Sequence, residues 1–186
     1  SASMVASFRL FDGGDFITQI MTLLLIPICL QDGKANHWKG LAPRGGESQV
    51  FAGVAYALIR LQVAVVYLVA SVSKLSVHEW ANGTAVYYWI GHPLVAAPPY
   101  LSGMLSFFTH HPVFVVLLTW GTLALEFGLF LCLFFPPGVR RRFLFIALGF
   151  HFMIFLVHGL FSFFFAMSGA LLLYLGDFRK KNTRLG

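Results

Sequence analysis

Apolar residues in this chain gather in long runs rather than in alternating or one-faced patterns, as expected of helices that meet an apolar medium on every side. The first run covers residues 16–30, after the turn-like Asp12-Gly13-Gly14-Asp15, and is broken only by Thr18, Gln19 and Thr22. Residues 31–49 carry Lys34, Lys39, Arg44, Pro43 and several glycines, a composition that predicts a loop. The run over 50–75 is long enough to cross a bilayer, with Arg60, Gln62 and Lys74 as its interruptions. Residues 76–111 contain no Lys or Arg, but they do contain Trp80, Tyr87, Tyr88, Trp89, Tyr100, Pro93, Pro98 and Pro99. That mixture predicts an interfacial helix and loop. A third span covers 112–135 and stops at Pro136-Pro137-Gly138; two shorter ones, 143–157 and 160–175, meet near His158-Gly159 as a helical hairpin. The pattern predicts an all-α integral membrane helical bundle of about five transmembrane helices plus an interfacial segment, in one domain over 1–186 without internal repeats.

Composition agrees. With 58% hydrophobic and only 11% charged residues, the chain has too little polar surface to cover a water-soluble domain. The formal charge of +6 raises nucleic acid as a partner, but Arg140, Arg141, Arg142, Arg179, Lys180, Lys181 and Arg184 sit in short stretches that flank apolar runs. This placement is a topology signal, so membrane lipid and no nucleic acid is expected. The positive-inside rule puts 31–49, 136–142 and 177–186 in the cytoplasm and 76–111 opposite. Cys29 and Cys132 lie inside apolar segments and read as small hydrophobes rather than a disulfide or metal framework. The opening Ser1-Ala2-Ser3-Met4 has no basic region of the kind that starts a secretory signal.

Ionisable residues at membrane depth are the candidate chemistry. Counted from the ends of their runs at about 1.5 Å per residue, Arg60 lies roughly 15 Å deep, Glu126 about 13 Å and His151 about 12 Å. Each isolated ion there costs on the order of 2.5–3.5 kcal/mol, so each should face a partner or a wet cavity. The expected arrangement is a structural polar cluster of Arg60, Gln62 and Glu126, with Arg60 paired to Glu126 to fix helix register and His151 at the same level. Lys74, near the other end of its helix, either snorkels to headgroups or is partly buried as a neutral amine able to take a proton from a substrate. His151 and His158 are about 10 Å apart along one helical face, too far to share a metal. His110 and His111 point in different directions and read as interfacial. No metal is expected, and no nucleotide loop or nucleophile elbow appears.

The ordered elements Asn36-His37-Trp38, Arg60-Leu61-Gln62-Val63-Ala64-Val65-Val66-Tyr67-Leu68, Ser73-Lys74-Leu75, Trp80 with Gly83, Thr119-Trp120 to Glu126, and Gly149-Phe150-His151 resemble the membrane domain of vitamin K-dependent gamma-carboxylase. They also resemble its bacterial relatives, the horizontally transferred transmembrane (HTTM) domain proteins, and above all the sporulation-delaying protein B family. The resemblance spans about residues 15–175 and implies packed helices around an internal site for a reduced quinone of the menaquinone or vitamin K type. In the carboxylase, the lysine matched by Lys74 deprotonates the hydroquinone. Oxygen then attacks the quinol anion, and the resulting strong base takes a carbon-bound proton from a glutamate side chain, whose carbanion captures carbon dioxide. The resemblance thus implies Lys74, His37 and His151 as catalytic residues and Asn36, His37 and Lys74 as cofactor-binding residues.

The carboxylase follows its membrane part with a large soluble domain that has no counterpart here, and the family's upstream helices lie outside this sequence, so the chain reads as an N-terminally truncated fragment. The topology also puts Asn36 and His37 on the side opposite Lys74 unless their loop re-enters the bundle. Three functions are therefore expected to compete. The leading one is a component of bacterial peptide-toxin maturation or export in the cytoplasmic membrane, with a small secreted peptide and a companion membrane or soluble maturation protein as partners. The second is a quinol-dependent carboxylase or epoxidase. The third is a noncatalytic membrane scaffold or immunity protein.

Overall fold

The computed structural model of the chain describes residues 13–30, 47–90 and 101–176. Among the described residues all regular structure is helical: α1 (Gly13–Leu30), α2 (Glu47–Leu75), α3 (His78–Ala81), α4 (Ala85–Ile90), α5 (Ser102–His110), α6 (Pro112–Leu131), α7 (Pro137–His158) and α8 (Phe161–Leu175). Three helical segments are long and apolar enough to cross a membrane, Val50–Leu75, Pro112–Leu131 and Pro137–His158; Asp15–Leu30 and Phe161–Leu175 are apolar but shorter.

The helix limits depart from the apolar runs at several ends: α1 opens at Gly13 and α2 at Glu47, each three residues before its run and inside a segment expected to turn or loop, while proline explains the two departures around α6 and α7. A residue that precedes proline is held out of the helical region, so α6 cannot continue to Phe135 beside Pro136. Its end tightens instead, with the N–H groups of Leu133 and Phe134 donating three residues back to Phe130 and Leu131. Proline is also well suited to a helix's first position, where its missing N–H costs nothing. Pro137 therefore opens α7, and Arg140, Arg141 and Arg142 lie on its first turns, not in a loop between spans as expected.

Packing centres on α2, which touches α1, α6 and α8, while α7 packs mainly on α8. Ala55, Ile59, Val63, Tyr67 and Ser71 recur every four residues on one buried stripe of α2. Of these, Ile59, Val63 and Tyr67 meet Leu129, Cys132, Ala147, Met167, Ala170, Leu171 and Tyr174 in the core. Large apolar side chains such as Leu23, Val69, Leu117, Phe145 and Phe165 face outward. Water would penalise that surface and lipid would not.

Two sets of contacts define opposite ends of the bundle. At one, the Tyr56 hydroxyl donates to the Gly176 carbonyl (3.3 Å) and the Tyr174 hydroxyl to the Leu129 carbonyl (2.8 Å). At the other, α4 and α5 lie against α6: the Val86 N–H donates to the Thr119 hydroxyl (3.2 Å), and Trp89 meets His158, at the end of α7, edge-on at 6.0 Å between ring centroids. Gly159 makes the α7–α8 turn with φ of 69°, a left-handed cap that glycine adopts without a Cβ clash.

Candidate functional site

The site grows from the α2 stripe. Tyr67, Ser71 and Lys74 follow one another at intervals of four and three residues, so all three share one helical face. Tyr67 and Ser71 are buried, and Ser71 spends its hydroxyl on its own helix, donating to the Leu68 carbonyl at 2.9 Å. Lys74 turns inward: its Nζ donates to Glu126 Oε1 on α6, and it lies 5.2 Å from the centroid of the Trp80 ring. An amine beside a carboxylate and over an indole face gains both ion-pair and cation–π attraction. Two turns deeper, the Tyr67 hydroxyl and His151 Nε2 of α7 are 3.0 Å apart in a buried hydrogen bond. The His151 ring is also packed edge-on by Phe163 of α8, at 5.4 Å.

These two pairs form one polar unit, since Tyr67 and Lys74 lie seven residues apart on the same face of α2. Lys74 is the accessible member, with a quarter of its side chain exposed, against 9% for Glu126. Two buried polar atoms in the unit have no hydrogen-bond partner, Glu126 Oε2 and His151 Nδ1. Buried polar atoms are rarely left unpaired, and such positions suit an ordered water or a polar ligand group.

The expected pairing of Arg60 with Glu126 is corrected here, because Lys74 takes Glu126. Arg60 lies fourteen residues earlier on α2, about 21 Å away along the axis. Depth counted from the ends of apolar runs assumes that all runs begin in one plane. They do not: the Tyr56–Gly176 bond ties α2 to the end of α8 more than two turns after Glu47, so Arg60 sits only about 6 Å beyond that tie, near the rim. Gln62 is half-buried and joins neither pair. Glu126 and His151 each take a partner from α2, Lys74 for Glu126 and Tyr67 for His151, and Arg60 joins neither. Asn36 and His37 lie outside the described residues.

Tyr67 was the residue without an assigned role, although its place seven residues before Lys74 marks it as a neighbour on the same face. Among the described residues, no three of His, Cys, Asp and Glu converge on a point that could hold a metal ion. His110 Nδ1 is 2.6 Å from the Ser106 carbonyl, and the His111 ring meets Phe107 edge-on at 4.7 Å.

The HTTM domain family profile matches residues 21–176, an interval that contains all four members of the unit. The chain belongs to the HTTM domain family. Two Bacillus subtilis proteins are similar to it across nearly its whole length. One is the uncharacterized protein YitO, 37% identical over 177 residues, covering 94% of this chain and 57% of that protein. The other is sporulation-delaying protein SdpB, 32% identical over 186 residues, covering 97% of this chain and 56% of that protein. The HTTM chain described here thus spans a little over half the length of these curated relatives. No solved structure matches it.

Proposed function

We propose that this chain is the membrane module of a bacterial system that matures or exports a small peptide toxin. In this reading it crosses the cytoplasmic membrane five times, with α1 and α8 as the two short spans, and works with a secreted peptide and a companion maturation protein. The observation that carries the proposal is the Lys74–Glu126 and Tyr67–His151 unit, built from three helices and retaining unsatisfied atoms. Ionisable groups at membrane depth are costly and mark sites of chemistry or transport. HTTM membership and the similarity to a sporulation-delaying protein supply the peptide context. Deletion of the gene should abolish processing or secretion of the partner peptide, and K74M in the full-length protein should reproduce that loss when output is compared at matched protein levels. Unchanged peptide output in both strains would reject the reading.

A second reading adds quinol-dependent chemistry, favoured by the two unpartnered atoms. The donor set fits such a ligand: Glu126 Oε2 would accept from a ring hydroxyl, His151 Nδ1 would meet a ring oxygen, and Asn36 and His37 would be further donors if their loop reaches the site. A reduced quinone supplies, when bound, the oxidisable ring whose deprotonation begins carboxylation or epoxidation. Lys74 would hold or accept the proton at Nζ, Glu126 would share it at Oε1, and the Tyr67 hydroxyl would orient His151. In nanodiscs with reduced naphthoquinone and oxygen, epoxide should form with the native protein and vanish with K74A; equal yields would eliminate this mechanism.

The scaffold reading rests on the fact that Lys74 and Glu126 neutralise each other. Quinone that co-purifies in a lipid extract of the protein would count against it, and repeated absence of quinone would favour it.

A further inference from the structure

At the end of the bundle opposite Lys74, two arginines are left over by the packing. Arg60 is half-buried next to the fully buried Ile59, and Arg140 is half-buried on the first turn of α7. The Nε atoms of both are buried and without a hydrogen-bond partner. Hydrogen bonds bring their surroundings together. Tyr56, one turn before Arg60, is bonded to Gly176 at the end of α8, and Tyr174 of α8 is bonded to Leu129 near the end of α6. Five residues beyond α6 lies Pro136, whose carbonyl accepts the N–H of Arg140 at 3.1 Å. Both guanidinium groups act electrostatically on the buried Tyr174, and Arg140 acts on the buried Cys132 as well.

Among the described residues, the usual ways of neutralising such cations are already taken or missing. Arginine near a helix end commonly caps the last carbonyls, but the tyrosine hydroxyls occupy those of Leu129 and Gly176. Among the described residues the only ion pair is Lys74 with Glu126. Arg140 also stands at the positive end of the 22-residue α7, where the helix dipole disfavours a cation and favours an anion. Its neighbours differ from it: Arg141 and Arg142 are exposed, and Arg141 lies 5.9 Å from the centroid of the Phe145 ring.

We propose that Arg60 and Arg140 form a binding site for a single phosphate-type anion at the turn between α6 and α7. The guanidinium forks supply paired N–H donors that match phosphate oxygens, and the α7 N-terminus adds its dipole. The site lies at the rim with outward-facing apolar side chains around it, so a phospholipid headgroup reaches it from the bilayer and free phosphate from the water.

The test uses the purified chain in phosphatidylcholine nanodiscs, with either 20% phosphatidylglycerol in the disc or inorganic phosphate in the buffer. Native mass spectrometry and the thermal unfolding midpoint are the readouts. The native protein should retain phosphatidylglycerol over phosphatidylcholine by about tenfold or more and unfold at higher temperature with it. R60Q/R140Q should lose that selectivity, and R141Q/R142Q should keep it. The same pattern with inorganic phosphate alone would support the site and assign it to the free anion. If the native protein shows no selectivity for either probe, the proposal is overturned even if the double variant fails to fold. Selectivity lost equally in both double variants would overturn it too, by reducing it to general surface charge.

Discussion

At the scale of single residues, the Lys74–Glu126 pair sets what each partner can tolerate. Removing one member of a buried pair leaves the other charged and unsatisfied, which costs more than removing both. K74M should therefore lower stability by about 2–3 kcal/mol, and K74M/E126L should recover most of the loss. Thermal unfolding of the four proteins of this double-mutant cycle measures the coupling, and additive losses would show that the pair contributes nothing. Y67F deletes only a hydroxyl and leaves His151 Nε2 unpaired, for an expected cost of about 1–2 kcal/mol. If Y67F reduces function while stability changes by no more than that, positioning of His151 is the cause. Lys74, Glu126 and His151 were legible as candidates because ionisable residues stand out against an apolar run. Which of them pair was not, since pairing depends on the relative axial offset of α2 and α6. That offset is set by contacts such as Tyr56 with Gly176, far along the chain from the ions themselves.

Helices impose their own constraint where α6 approaches α7. A Cβ placed on Gly128 would stand 2.7 Å from Cε1 of Phe143, closer than side-chain carbons approach one another, so the glycine lets the aromatic ring lie on the helix backbone. G128A should cost about 1–3 kcal/mol through overpacking. The second change F143L should relieve it, whereas F143L alone should be mildly destabilising; unfolding midpoints of the three variants decide. The helices behind the runs at 50–75, 112–135, 143–157 and 160–175 were legible, most ends to within about four residues, because a long apolar run is a strong signal. The start of α7 was not. Pro136-Pro137 reads equally well as the stop of one helix or the first position of the next, and only the fold of the chain around the turn selects the second.

The whole molecule alternates its ends: Tyr56, Tyr174 and Arg140 belong to one, and Asn82, Trp89 and His158 to the other. The positive-inside rule predicts that the first end faces the cytoplasm, and cysteines introduced into a C29S/C132A background should report the sidedness. N82C, at an exposed position, should react with an impermeant maleimide in intact cells. R141C, also exposed, should react only after permeabilisation, and the reverse pattern would invert the topology.

Helix length has a further consequence for the surrounding lipid. The 15 residues of α8 reach only about 22 Å, well short of a hydrocarbon layer of about 30 Å, and α8 packs beside α1, the other short apolar helix. In the five-span arrangement α8 falls short of a bilayer of full thickness, a mismatch that local thinning of the bilayer along that flank would accommodate. A polar segment would have less oil to cross there than anywhere else around the protein.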